Sequence, residues 1–544
     1  MCNKENTKKL IDRLDEILFD SIVFIFGISK GEYLQELQKK LCIENRVVII
    51  EPNEDAYNTY KDLIKDDRIN LVLFDDKTIE TIIGKLVNYE KFDRLLVHSY
   101  GNYKEEYSKE YERFIEILDS VYLTVSSGLG VANSFKSLFL ENLTSNLYKI
   151  NNSTPLNSYI DSNKDIPAII VSAGPSLDKN IQTMIKHKNY LDKFFIIAGN
   201  RTLGSLIKNN IVPDLVVSID PQYVTCEMIE KYIDYKIPLA FYEFSNKNLL
   251  NKYKGELIYL AELLPKTIET MKIFMGTFSG GSVAHSSTDI ARIMGCNPII
   301  FVGQDLAYTF EKDHSEISAF PIDKQKSEHN FIYTKDINNN DIKTTITLDF
   351  YKMKFEQYIK FIQSSEDVKF YNASYGADIK GAPHVELEEI IKTLELEKTS
   401  HKSYKLKPNK CINIDSQHIV DSINDHVNTY LEKCDECINI CERLMESNID
   451  IPMTQMKEDS KDLKDFIYVI DTVTNFESNM NTYYIGAYIK CFIYYIRNKY
   501  FEMKAKDYTN LTSNLNYQSN CFLNYFKELM EILKEIKEIL IKEG

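Results

Sequence analysis

No unbroken apolar run in this chain reaches the roughly 18 to 20 residues that a membrane span requires. The longest stretches, such as Ile485 to Ile496, are short and interrupted by Lys490. The N-terminal Met1-Cys2-Asn3-Lys4-Glu5-Asn6 lacks the apolar core and cleavage site of a signal peptide, so a cytoplasmic location is expected. Basic charge is scarce: 65 Lys and Arg against 80 Asp and Glu leave a net charge of −15. That balance argues against general nucleic-acid binding and for protein or small-molecule partners. Tracts of proline or of glycine and serine are missing, and only Glu311 to Thr345 is polar enough for a long mobile loop or lid. The ten cysteines are scattered and follow no secretory signal, which implies reduced thiols rather than a disulfide framework.

What is present is enough chain, 544 residues with 44% hydrophobic, for about three domains with sizeable cores. The stretch that organises it is Ile166-Pro-Ala-Ile-Ile-Val-Ser-Ala-Gly-Pro-Ser-Leu-Asp178. Ala168 to Val171 is a continuous apolar run of the kind found in a parallel strand covered on both faces. Ser172, Ala173 and Gly174 then let the backbone approach a ligand, and Pro175 and Ser176 start a helix, with Ser176 as its N-cap. Free N–H groups and the positive end of that helix would face an anion. An ordinary strand-to-helix turn is the alternative.

Upstream, residues 21–26 read as a buried strand entering Gly27-Ile-Ser-Lys-Gly31, followed by a helix and a strand from Arg46 to Ile50 closed by Glu51. This is a βαβ unit with an acidic residue 24 positions after the first loop glycine, roughly where a dinucleotide fold holds its ribose-binding carboxylate. The loop has two glycines and misses the full fingerprint, so a structural Rossmann-like domain is the stronger reading. Strands at Asn70 to Phe74 and Arg94 to His98 continue the alternation to about residue 150. His98 could act catalytically or be satisfied by a neighbour. Asn151 to Pro155 marks the boundary.

In the second domain each strand ends in small or polar residues that precede a helix. Phe194 to Ala198 runs into Gly199-Asn200, Asp214 to Ile219 into Asp220, and Pro238 to Tyr242 into Glu243. In a parallel sheet such ends gather on one edge, where ligands bind. Asn200 could pair with a base or sugar and Asp220 with ribose hydroxyls, or each could cap the next helix. Ser279-Gly280-Gly281-Ser282 opens a further helix as a second anion cradle. Gln304 and Asp305 follow the strand Pro298 to Val302, and His314 lies just beyond in a polar segment.

Ser172-Ala-Gly-Pro-Ser-Leu177, Gly199-Asn-Arg-Thr202, Pro213-Asp-Leu-Val-Val-Ser-Ile-Asp-Pro221, Ser279-Gly-Gly-Ser282 and Gly303-Gln-Asp-Leu-Ala-Tyr308 occur in an order and spacing that resemble the motility associated factor (Maf) glycosyltransferases of bacteria, whose central domain is similar to bacterial sialyltransferases. The resemblance covers roughly residues 150 to 390. It implies transfer of a nonulosonic acid, of pseudaminic or legionaminic type, from its CMP-activated donor to Ser or Thr of flagellin. It further implies a donor site formed by Ser172, Gly174, Pro175, Ser176, Asn200, Asp220, Ser279, Gly280, Gly281, Ser282 and Gln304; because such a donor leaves with a single phosphate, N–H groups and hydroxyls could stabilise its charge, and no metal or other cofactor is expected to be required. His314 is the first choice as catalytic base and Asp305 the second. The family places its loop histidine in a Gly-x-Thr-His context, whereas Lys312-Asp313 precede His314; its paired glycines are replaced by the single Gly376 in Asn372 to Gly381. A pterin diphosphokinase family shares the domain and supplies a rival reading, although no Gly-x4-Gly-Lys-Ser/Thr loop is present. A non-catalytic flagellin-binding scaffold is the third.

From about residue 400 the pattern is helical. Val420, Ile423, Val427, Tyr430, Cys434, Cys437, Cys441 and Leu444 form a heptad seam, so the three cysteines read as packing rather than metal ligands. Phe522, Tyr525, Leu529, Ile532, Ile536 and Ile539 repeat the arrangement. The expected fold is thus α/β: a Rossmann-like domain over 1–150, a sialyltransferase-like α/β catalytic domain over 151–395, and an all-α helical bundle over 396–544.

Overall fold

The apolar runs become parallel strands because both of their faces are covered. In β1 (Ile22–Phe26), Val23 and Ile25 enter one buried cluster while Ile22, Phe24 and Phe26 enter another. With β2 (Arg46–Glu51), β3 (Ile69–Leu73) and β4 (Leu95–Ser99) it forms a parallel sheet of order β3-β2-β1-β4. The computed structural model describes residues 2–318, 331–396, 412–447 and 451–543.

Among the described residues ten further strands follow: β5 (Thr154–Pro155), β6 (Ala168–Val171), β7 (Phe195–Gly199), β8 (Leu215–Ser218), β9 (Leu239–Phe241), β10 (Leu257–Tyr259), β11 (Ile299–Val302), β12 (Phe331–Lys335), β13 (Asp341–Thr345) and β14 (Phe370–Asn372). All but β12 and β13 join one parallel sheet of order β14-β11-β6-β7-β8-β9-β10-β5. In β6, Ala168 and Ile170 face one core while Ile169 and Val171 face the other, which is why the run shows no alternation. The chain steps from β6 through β10 on one side and returns to lay β11 on the other. β6 is therefore the strand at which the winding reverses.

Two sequence readings change. Within Glu311 to Thr345, residues 331–335 and 341–345 pair as an antiparallel hairpin rather than forming part of a lid; residues 319–330 lie outside the described ones. Among the described residues one helix, Ser108–Ile150, is long and apolar enough by length and composition to cross a membrane, and little of its apolar window is buried. Serine, threonine, glycine and asparagine hide this window from a search for unbroken apolar runs. By compactness the chain groups into two units, residues 1–137 with 422–539 and residues 138–421 with 540–544.

The C-terminal helices belong with the first sheet for a visible reason. Arg497 donates to the buried Asp20 at 2.5 Å and to Glu90 at 3.2 Å, and Arg94 pairs with Glu502 at 3.1 Å. The Arg497–Asp20 pair, whose carboxylate is buried, is expensive to break one-sidedly. The heptad seam of helix Ser416–Glu446 is buried from Val420 to Leu444 as its periodicity predicts. In helix Leu515–Glu543 the fully buried apolar positions include Leu515, Phe526, Leu529, Leu533, Ile536 and Leu540, while the expected seam residues Phe522, Ile532 and Ile539 are only half-buried. Burial pushes the thiols of Cys434 and Cys441 up to about 12 and that of Cys437 to about 11. Each therefore holds its proton more tightly than an ordinary thiol, as burial in an apolar seam dictates.

Candidate functional site

Three strand-end loops interlock around the reversal strand. The Gly174 N–H donates to the Gly303 carbonyl at 2.8 Å, the Gln304 N–H to Ser374 Oγ at 2.7 Å, and Ser172 Oγ to the Gln304 side chain. Asp305, 2% exposed, accepts the Ser176 N–H at 3.0 Å on one oxygen and Ser176 Oγ on the other. Ser176 Oγ in turn accepts from the Tyr375 N–H at 2.8 Å. Burial raises the Asp305 carboxyl above its ordinary range, opposed by these donors.

This arrangement corrects the anion-cradle reading of the first turn. Ser176 is helical rather than extended and makes no side-chain cap to helix Leu177–Lys186; its hydroxyl is spent on Asp305. The N–H groups of Gly174 and Ser176 already have partners, so the positive end of the helix is occupied by a carboxylate of the chain itself. Pro175, Ser176 and Gln304 are buried, leaving Ser172, Ala173 and Gly174 half-exposed. Gly174 is also glycine for another reason than ligand approach. A Cβ there would lie 2.3 Å from Asp305 Oδ2 and 2.5 Å from the Gly303 oxygen. Asp305 therefore ties the loop together, a geometry that leaves neither oxygen open to an acceptor hydroxyl.

The second turn is different. Ser282 caps helix Val283–Ile293, accepting from the Ala284 N–H at 3.4 Å, and Asp289 holds the Phe278 N–H at 2.8 Å. Among the described residues none takes the N–H of Gly280, Gly281 or Ser282. Ser279 and Gly281 are exposed. Gly281 adopts φ +89°, and a Cβ on it would meet the Tyr351 ring at 2.8 Å. Val283 sits 3.1 Å from where a Cβ on Gly199 would be, so the end of β7 adjoins this turn.

Asn200, the residue after that glycine, is 7% exposed, and its Oδ1 finds no hydrogen-bond partner among the described residues. It opens helix Asn200–Lys208 without capping it. Asp220, at the end of β8, caps nothing either: the next helix, Val224–Ile229, takes Tyr223 as its N-cap. Asp220 reaches solvent, yet the atoms crowded about it raise its carboxyl, with Arg201 pulling the other way. The Asp220 charge in turn raises the hydroxyl of the half-buried Tyr351, after burial itself. Asn200, Asp220 and the Ser279 to Ser282 turn thus share one sheet edge with Arg201 and Tyr351. The last two carried no role in the sequence: Arg201 stands inside the motif Gly199 to Thr202, and Tyr351 reaches the site from helix Ile346–Gln363, remote in the chain.

His314 is half-buried on a segment pinned to the first loop. The next residue, Ser315, donates its N–H to the Ala173 carbonyl at 2.9 Å. The chain therefore brings His314 beside the Gly174 loop, as the position after Asp305 suggests.

His285 closes the floor of the second turn. It is 1% exposed, donates from Nε2 to the Tyr351 carbonyl at 3.0 Å and stacks on Phe355 at 3.9 Å. Burial pushes it down to about 4 from 6.5. Since the folded form holds its proton less tightly than the unfolded chain, its contribution to stability is whole above pH 6.5 and is lost as pH falls towards 4. With each tenfold change in proton affinity equal to about 1.4 kcal/mol, about 3 kcal/mol is at stake. Thermal melts between pH 7 and about 4 should show this loss in the native protein and a shallower one in His285→Gln.

The N-terminal loop follows the logic of the first turn. Glu51, fully buried, accepts the Ile28 N–H and the Asn53 N–H, each at 2.8 Å. Its carboxylate is tied to the glycine loop instead of awaiting a ribose. His98, at the end of β4, is pushed down to about 4 by burial and by Arg13, which donates to it at 3.2 Å. It is a neutral, satisfied side chain.

Comparison with known proteins agrees with this sheet. The profile of the 6-hydroxymethylpterin diphosphokinase MptE-like family matches residues 141–311. The structure of a Maf glycosyltransferase from Magnetospirillum magneticum AMB-1 superposes with a TM-score of 0.57 over 100% of this chain and 85% of that one, at 14% identity. The chain has the fold of a Maf glycosyltransferase. An uncharacterized protein of Treponema pallidum (strain Nichols) is 27% identical over 129 residues, which is 24% of this chain and 59% of that protein. The chain thus spans less than two thirds of this curated relative. Within the Maf fold, β6, β7, β8 and β11 carry their C-terminal ends, and with them Ser172, Gly174, Asn200, Asp220, Gln304 and Asp305, to one edge.

Proposed function

We propose that the protein is an inverting glycosyltransferase that moves a nonulosonic acid from a CMP-activated donor to Ser or Thr of flagellin in the cytoplasm. The observation that carries the reading is the pairing, on one sheet edge, of a buried Asn200 oxygen and a helix-opening turn with three N–H groups, none of which has a hydrogen-bond partner among the described residues. An unpaired buried acceptor costs about 1–3 kcal/mol and calls for a donor group on a ligand. Open N–H groups call for an anion. A nucleoside monophosphate offers both, through its base or sugar and its single phosphate. In the reaction the acceptor oxygen attacks the anomeric carbon, the bond to phosphate oxygen breaks, and CMP departs. N–H groups and hydroxyls on the edge stabilise the charge gathering on phosphate. The acceptor proton passes to His314.

The MptE-like match favours a second reading, transfer of diphosphate from ATP to a pterin. Titration calorimetry separates the two. CMP should bind, and Asn200→Ala should weaken it about 5- to 150-fold, as loss of a buried ligand hydrogen bond of about 1–3 kcal/mol implies. Tight binding of ATP with none of CMP supports the diphosphokinase. Intact mass of the host's flagellin, with and without the gene, tests acceptor and sugar together. An unchanged mass with CMP binding intact leaves a nucleotide-binding scaffold.

A further inference from the structure

Asp178, second residue of helix Leu177–Lys186, has no part in the donor site, yet it is the acceptor on which the His314 segment hangs. One of its oxygens accepts Ser315 Oγ and, at 3.4 Å, the Ile317 N–H; the other accepts the Glu316 N–H at 3.0 Å. All three donors come from a segment more than 130 residues downstream. The same segment is held by Ser315 N–H and Ser318 Oγ on the Ala173 carbonyl, at 2.9 and 3.4 Å, and by Ser205 Oγ on the Ile317 carbonyl at 2.8 Å. Of these contacts only the Asp178 carboxylate gathers three donors. It also lies in the first turn of the helix, where a negative charge is favoured.

We infer that Asp178 is the positioning residue for His314: its carboxylate clamps the Ser315 to Ile317 turn onto the Gly174 loop and so fixes where the preceding imidazole stands. The inference rests on the reading of His314 as base. Hydrogen bonds to a charged acceptor are among the stronger ones, and three on one carboxylate over three consecutive residues leave the turn little freedom. A reacting group displaced by about 1 Å loses on the order of 100-fold in rate, which sets the scale of what the clamp protects.

The test uses the full chain and two readouts. Asp178→Ala should raise hydrogen exchange at the Glu316 and Ile317 amides. It should slow transfer to purified flagellin from CMP-pseudaminic or CMP-legionaminic acid on the order of 10- to 100-fold, read by intact mass, while CMP affinity by calorimetry stays within about threefold. Asp178→Glu, which keeps a charged acceptor, should recover transfer, whereas Asp178→Asn should not, since its amide would face an N–H. Unchanged exchange overturns the clamp. Raised exchange with full transfer, where His314→Ala loses transfer, overturns the positioning role alone. Full transfer by His314→Ala overturns the base reading and this inference with it. If Asp178→Ala fails to fold, Ser315→Ala removes one donor and carries the same test with a smaller effect.

Discussion

Asp305→Ala should lower the stability of the unit built from residues 138–421 by about 3–5 kcal/mol, because it strands two buried donors at once. The Ser176 N–H and hydroxyl both end on that carboxylate, and the Asp305 backbone carbonyl accepts the Ala377 N–H at 2.8 Å, so the loops after β6, β11 and β14 meet at this residue. Urea unfolding should show an earlier midpoint with an unchanged slope, the mark of altered stability rather than altered compactness. Gly174→Val should do comparable damage from the other side, since its side chain would enter the space of Asp305 Oδ2 and the Gly303 oxygen. Such a variant cannot be expected to keep its fold and lose only ligand binding. The outcome also separates two roles for Asp305. A catalytic base on an open surface would leave the unfolding midpoint where it was and remove turnover alone.

The strands and their order of ends were legible because burial on both faces demands apolar, β-branched runs, and runs of that length with small residues after them have few other uses. The heptad seam through Cys434, Cys437 and Cys441 was legible for the same reason: a three-and-four spacing survives any choice of apolar residue. What sequence reading could not assign was which polar groups are already taken. Ser176 stands where an N-cap belongs and Glu51 where a ribose ligand belongs, and spacing alone does not reveal that Asp305 and the Ile28 N–H have claimed them. Hydrogen-bond satisfaction is a property of the folded arrangement, set by residues as distant in sequence as Ser176 and Asp305. The same holds in reverse for Asn200, where the informative fact is a missing partner. Tyr351 and Asp178 act across the fold and carry no motif. The grouping of the bundle with the first sheet rests on Arg497 and Asp20, a buried pair that composition does not announce.

His314→Ala should leave CMP affinity intact and slow transfer to flagellin by about 10² to 10⁴, the usual worth of a positioned general base. An unassisted serine or threonine hydroxyl is a poor nucleophile, and imidazole is the side chain best matched to taking its proton near neutrality. The structure narrows the choice of base. Asp305 has both oxygens engaged, His285 is buried and held neutral beneath the second turn, and His98 lies in the other compact unit. His314 alone of these sits half-buried on a segment tied by Ser315 to the Ala173 carbonyl, beside the half-exposed part of the first loop. Single-turnover transfer with donor saturating is the measurement, because it isolates the chemical step from product release. A variant that transfers at the native rate would remove His314 as base, and the search would pass to Asp220, the solvent-reaching carboxylate on that edge whose raised affinity for a proton suits it to receive one.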